Sequence, residues 1–275
     1  MYRILKFCVN ANILVSFASF SLYRVTELLF DFKDLNLGLF VFFSTLFAYN
    51  YMRLPVCLKK GNVQTMVLRD NHKIIYYILF TSAVAVVFLL SILGFKFLKL
   101  VFPAIIISLL YPLSISINKK EYSIRKIPFL KIFLIALTWS YITLLIPALY
   151  YNLEIDYFLL DMFFQRVLFI IAISIPFDIR DYNIDNIKTI PNTLGIYESK
   201  LFAWFCLFII DVLLIVDLIN NTITMPFFIA LFLSIELCSL LIYYANPNRS
   251  LMFYGLFVES LSIIMCLFVS IASFF

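Results

Sequence analysis

Charge is scarce in this chain. Asp, Glu, Lys and Arg make up 13% of its 275 residues and apolar types 64%, where soluble domains carry roughly 25% charged residues. That leaves too little polar surface to face water, and a soluble globular domain is excluded. Glycine is also rare, and none of the five falls in a phosphate-cradling GxGxxG or Walker pattern. A single histidine, His72, cannot build a metal site unaided, and we read it as a loop residue. The cysteines, Cys8, Cys57, Cys206, Cys238 and Cys266, are odd in number and share no CxxC spacing, so they are read as small apolar packing residues. No Gly-, Pro- or Ser-rich linker, low-complexity tract or internal repeat divides the sequence, so residues 1–275 are expected to form one domain.

Long apolar runs dominate the sequence. Stretches suited to crossing a bilayer lie at about 8–30, 36–52, 73–94, 98–117, 128–150, 157–177, 197–219, 223–244 and 251–274. The expectation is an all-α, polytopic membrane protein of about nine transmembrane helices. The first run follows Arg3 and Lys6, runs too long for a secretory signal and lacks a small-residue cleavage site, so it is read as a retained helix. Threading nine spans with the N-terminus inside places Arg3, Lys6, Arg53, Lys59, Lys60, Arg69, Lys73, Lys119, Lys120, Arg125, Lys126, Lys131, Arg180, Lys188, Lys200 and Arg249 on one side. Only Lys33, Lys96 and Lys99 fall on the other. Basic residues concentrate on the cytoplasmic side, so the net charge of +5 is a topology signal and no nucleic-acid partner is expected. The predicted location is the cell (inner) membrane, multi-pass, N-terminus cytoplasmic.

Charges inside spans are costly. Arg24 with Glu27, Arg166 with Asp161, and Asp211, Glu236 and Glu259 are read as structural pairs, with pocket-lining groups as the alternative. Paired halves and polar groups near the midplane, which would mark a small-solute transporter, are not evident.

The most informative segment runs from Phe177 to Pro191 and reads FDIRDYNIDNIKTIP. If the sixth helix continues through it, the i, i+3, i+7 spacing of Asp178, Asp181 and Asp185 turns all three to one side. Gathered carboxylates repel unless a cation sits among them, and hard oxygen ligands suit Mg²⁺ bridged to phosphate oxygens. Arg180 and Lys188 are then placed to neutralise phosphate charge. A solvated acidic loop is the alternative.

Asp181-x-x-x-Asp185 followed by Lys188-Thr189-Ile190-Pro191 and Leu194-Gly195 resembles the second aspartate motif of the UbiA superfamily of membrane prenyltransferases. Tyr111-Pro112, the basic loop after it, Pro128 and Trp139 resemble that family's passage into its fifth helix, so the likeness covers nearly the whole chain. At the family's first motif, N-x-x-x-D-x-x-x-D, Asn50 matches but Leu54 and Leu58 stand at the aspartate positions. Arg53 either grips phosphate directly in their place or marks the membrane edge.

The resemblance implies a UbiA-like helical bundle that moves a prenyl group from a polyprenyl diphosphate to an aromatic or lipid acceptor with Mg²⁺ assistance. It assigns Asp178, Asp181 and Asp185 to catalysis and the metal, and Asn50, Arg53, Lys119, Lys120 and Lys188 to the diphosphate, with Lys126 a weaker candidate. Some of the 32 Phe and 17 Tyr would then line an isoprenoid tunnel. The missing aspartates keep open an alternative, a degenerate member that binds or carries an isoprenoid lipid without turnover.

Overall fold

In hydrocarbon every backbone N–H and C=O must be bonded within the protein, which a helix does along its own length. The computed structural model describes residues 2–58, 72–111, 114–117, 120–123, 129–183 and 189–275, with backbone alone for 2, 53–58, 72–73 and 114–123. Its helices are α1 (Tyr2–Asn10), α2 (Ile13–Leu29), α3 (Leu35–Leu58), α4 (His72–Leu110), α5 (Leu130–Ser140), α6 (Ile146–Tyr150), α7 (Tyr157–Arg180), α8 (Ile190–Leu194), α9 (Ile196–Ile219), α10 (Met225–Tyr244) and α11 (Leu261–Ala272). A short antiparallel hairpin, β1 (Ser114–Ile117) and β2 (Lys120–Ser123), lies between α4 and α5. π-Helical segments at Tyr141–Leu145 and Phe253–Val258 join α5 to α6 and precede α11.

Among the described residues, seven helical stretches are long and apolar enough to cross a membrane, or eight if a bent pair counts as one span. This is the architecture of a multi-pass membrane protein. It departs from the expected nine runs in two places. The first run is broken by a 70° bend between α1 and α2, where Asn12 takes the left-handed conformation (φ 58°, ψ 21°), one that asparagine tolerates better than most residues. The third and fourth runs are joined without a loop in α4, whose 39 residues would extend about 58 Å at 1.5 Å per residue, nearly twice a bilayer core of roughly 30 Å. Gly94 interrupts it with φ 81° and ψ −178°, a conformation closed to residues with a Cβ. His72, expected in a loop, opens this helix.

α7 is the central element. Two-thirds of it (67%) is buried against 22% for the membrane-crossing part of α4, so α7 forms the axis and α4 the periphery. The main core wraps α7 with Ile170, Ile175, Ile210, Leu214, Ile235, Tyr254 and Met265. A second core joins α2, α3 and α4 through Tyr23, Leu37, Phe40 and Phe97, with the Phe40 and Phe97 rings edge to face at 4.9 Å. Cys206 and Cys238 are buried as packing residues.

The bundle has two distinct ends. At the one reached by the C-terminus of α7, which we term the basic end, α5 begins and α3 ends. At the far end, Lys96 donates to the Tyr150 carbonyl (2.6 Å) and Asn152 Oδ1 (2.9 Å), which pins the chain just after Gly94 beside the α6–α7 turn. There Asp34 caps α3, accepting from the N–H groups of Asn36 and Leu37 at 2.9 and 3.1 Å, and takes the Tyr151 hydroxyl at 2.7 Å.

Candidate anion site at the basic end

The last turn of α7 and its C-cap carry the first two aspartates of the acidic phrase, Asp178 and Asp181, and each meets a different cation. The helix stops at Arg180: Asp181 N–H bonds Phe177 O (3.1 Å), then Tyr182 N–H bonds Ile179 O (3.3 Å), an i→i−3 contact that tightens the final turn. Asp178 points into the bundle, 2% exposed, and accepts from Lys131 Nζ of α5 at 2.7 Å. Asp181 takes the guanidinium of its neighbour Arg180 in a fork, Nε to Oδ1 and Nη2 to Oδ2, both 2.8 Å. The same guanidinium lies over the rings of Phe177 (5.4 Å) and Tyr254 (6.0 Å). The geometry is that of two carboxylates, each with a cation of its own.

The phrase that follows has a local structural reason. Thr189 caps α8, its hydroxyl accepting from Asn192 N–H at 3.4 Å; Pro191 sits in the first helical turn, where its missing N–H costs nothing; and Gly195, at φ 105°, joins α8 to α9.

Asn50 is 1% exposed and occupied. Its amide donates to Ala11 O (3.0 Å) and Leu46 O (2.8 Å), and its carbonyl accepts from Asn12 at 3.2 Å. It therefore holds the break between α1 and α2, and no hydrogen bond joins it to Asp178 or Asp181. Asp185, Lys119, Lys126 and Lys188 lie outside the described residues, and Arg53 and Lys120 are described by backbone only. Lys131, counted in the sequence only as one more basic residue, is the partner that the sequence reading missed.

Where α4 ends and α5 begins lies an apolar cleft of about 280 Å³ lined by Ile107, Leu110, Tyr111, Leu130 and Leu134. Lys131 follows Leu130 in the chain at this same end of the bundle but turns to Asp178 and is not part of the cleft wall.

Magnesium does not fit the described residues as they stand. No three His, Cys, Asp or Glu side chains gather among them, and both Asp181 oxygens are engaged by Arg180.

A second polar group lies deeper, toward the far end. Arg166 is 7% exposed and does not pair with Asp161, as the sequence reading expected. Its Nη1 donates to Thr26 Oγ1 (2.5 Å), Thr143 O (3.1 Å) and Thr143 Oγ1 (3.2 Å), the last two on the π segment before α6. Asp161 is held by Gln165, one helical turn on, whose amide also donates to the buried Asp217 of α9 at 2.9 Å. Arg24 and Glu27 do pair, and Glu27 also accepts from the Asp34 N–H at 2.6 Å. At the far end, burial and then the Asp34 carboxylate push the Tyr151 phenol above its ordinary range. No family model, no curated protein and no solved structure matches this chain.

Proposed function

We propose that this chain is a divergent UbiA-like membrane protein that takes a polyprenyl diphosphate at its basic end and transfers the prenyl group to an aromatic or lipid acceptor. Taking the bent α1–α2 pair as one crossing and the two arms of α4 as two gives nine crossings. With the basic loops inside, the N-terminus is cytoplasmic in the cell membrane. The observation that carries the reading is charge and apolar hollow at one end of the bundle: the Lys131–Asp178 and Arg180–Asp181 pairs at the end of α7, and the cleft where α4 ends and α5 begins. An amphiphile with an anionic head and an isoprenoid tail matches that juxtaposition. Breaking its C–O bond builds negative charge on the leaving diphosphate, and preorganised cations stabilise charge that develops in this way. Lys131 and Arg180 are such cations, exchanging a carboxylate oxygen for a phosphate oxygen. Asn50, Arg53, Lys119, Lys120 and Lys188 stay assigned to the diphosphate by resemblance. Mg²⁺ belongs to the proposal through Asp185 with Asp178 and Asp181.

One observation favours a second reading, binding or carriage of an isoprenoid lipid without turnover. Both described carboxylates already have protein cations, and Leu54 and Leu58 replace the other expected pair. Purified protein in detergent, given a radiolabelled polyprenyl diphosphate and an aromatic or lipid acceptor with and without Mg²⁺, separates the two. Transferase activity predicts Mg²⁺-dependent diphosphate release that Asp181→Ala lowers at least about tenfold, roughly 1.4 kcal/mol of barrier. Saturable binding with no release under any condition, unaffected by Asp181→Ala, supports carriage. Neither release nor binding removes both readings.

A further inference from the structure

Ionisable residues inside a membrane almost always face the protein interior or a water-filled cavity, because hydrocarbon does not solvate charge. Glu236 breaks that pattern. It lies near the middle of α10, eleven residues after Met225 and eight before Tyr244, about 16 and 12 Å from the two ends at helical rise. Its side chain is exposed. It sits at the centre of an outward stripe, Ile229, Leu233, Leu240 and Tyr243 flanking it at alternating spacings of four and three. Among the described residues of the membrane-crossing helices, no other exposed carboxylate lies so far from a helix end.

Asp211 of α9 stands beside it. The two helices form an antiparallel pair joined by residues 220–224, and Asp211 is eight residues from the end of α9 at Ile219, about 12 Å along the axis. The two carboxylates therefore lie within about one helical turn of each other in depth, close enough for their charges to interact. The Asp211 Oδ1 atom is buried with no hydrogen-bond partner. α9 and α10 are themselves well joined nearer the basic end, where the Trp204 indole donates to Ser239 O (3.1 Å) and Lys200 Nζ to Tyr243 O (2.7 Å). The outward acid is thus presented on a fixed surface.

Charge complementarity selects the occupant. Lipid headgroups sit outside the hydrocarbon core and cannot reach this depth. Among its described residues a second copy has no cation to offer at this depth: Arg24, Lys131 and Arg180 are paired with carboxylates, Arg166 is buried in the interior, and Lys96 and Lys99 lie by the Gly94 bend. Two copies meeting at α10 would set acid against acid. We infer that the α9–α10 face docks a transmembrane helix of another protein, one that carries a Lys or Arg near the middle of its span and seats it against Glu236.

Fluorescence transfer in phosphatidylcholine vesicles tests this with the labelled full-length chain and a synthetic leucine-rich transmembrane peptide carrying one central Lys. The peptide is expected to bind at least about tenfold more tightly than its all-leucine counterpart, a difference that ion pairing in hydrocarbon supplies. Glu236→Gln is expected to abolish that preference, and Glu236→Leu, which suits a lipid-facing position, to do the same with the fold intact by circular dichroism. Equal binding of the two peptides, or a preference that survives both substitutions, overturns the inference. Transfer between differently labelled copies of the chain itself that Glu236→Gln removes also overturns it, by giving the face to a second copy. A peptide with its Lys near the end of the span that binds as tightly as the central one overturns the depth match.

Discussion

The basic end and the half of the bundle toward the far end solve the problem of charge in a membrane in opposite ways. At the basic end Asp178 meets Lys131 and Asp181 meets Arg180, and the pairs sit where α7 stops and α5 starts. Toward the far end, Arg166 is surrounded by threonine oxygens, and two carboxylates, Asp161 and Asp217, share the amide of one glutamine. The first arrangement is made of exchangeable partners, each cation able to take an incoming anion. The second gives its ionisable groups neutral partners of fixed geometry, and it locks α2, the α5–α6 π segment, α7 and α9 together. Under the proposed function, the comparison gives ligand exchange to one end and rigidity to the other.

The most damaging way to break it is Gln165→Leu, which removes the amide donor of Asp161 and leaves Asp217 with the Thr222 hydroxyl alone. A loss of about 3 kcal/mol is expected, since leaving a buried polar group without its partner costs about 1–3 kcal/mol and more for a charged one, read as a lowered midpoint of thermal unfolding in detergent. An unchanged midpoint would deny the network its structural role. Asn50→Leu comes next. It leaves the Ala11 carbonyl at the α1–α2 break without its donor, and about 2 kcal/mol of destabilisation follows from an unsatisfied buried acceptor. Prenyl diphosphate binding retained by the folded variant keeps Asn50 in the framework, whereas lost binding at unchanged stability returns it to the headgroup. The smallest effect belongs to Tyr151→Phe, which deletes the hydroxyl bonded to Asp34 and costs about 0.5–1 kcal/mol as an ordinary hydrogen bond. Because the folded phenol titrates above its unfolded value, its contribution is complete below about pH 10 and fades as pH rises beyond that. Urea unfolding across pH 8–11 should show a larger alkaline loss in the native chain than in the Phe variant.

Much of the helical layout was legible because hydrocarbon imposes length: the expected runs at 157–177, 197–219 and 223–244 meet α7, α9 and α10 within a few residues. The two departures turn on single residues that composition hides. Asn12 supplies a left-handed turn inside an apolar run, and Gly94 allows one helix to carry two runs without a polar loop. In the candidate site the acidic phrase was visible as charge out of place, but its geometry was not. Whether Asp178 and Asp181 point together depends on where α7 ends, and that is set by the capping of its last turn. Arg166 was paired on paper with Asp161, its neighbour in sequence. The structure satisfies it through Thr26 and Thr143, 140 and 23 residues earlier in the chain, a choice made by packing that no local spacing records.

Gly38 carries a consequence for traffic through the molecule. A methyl group there would come within 2.8 Å of the Phe20 ring and 2.9 Å of Tyr23, so α2 and α3 touch backbone against ring with no width between them, as small residues permit in membrane bundles. That seam is a wall: no hydrocarbon tail slides sideways out of the lipid along it. The apolar cleft lies elsewhere, where the end of α4 meets the start of α5, and under the proposed function that is the opening left for a prenyl tail.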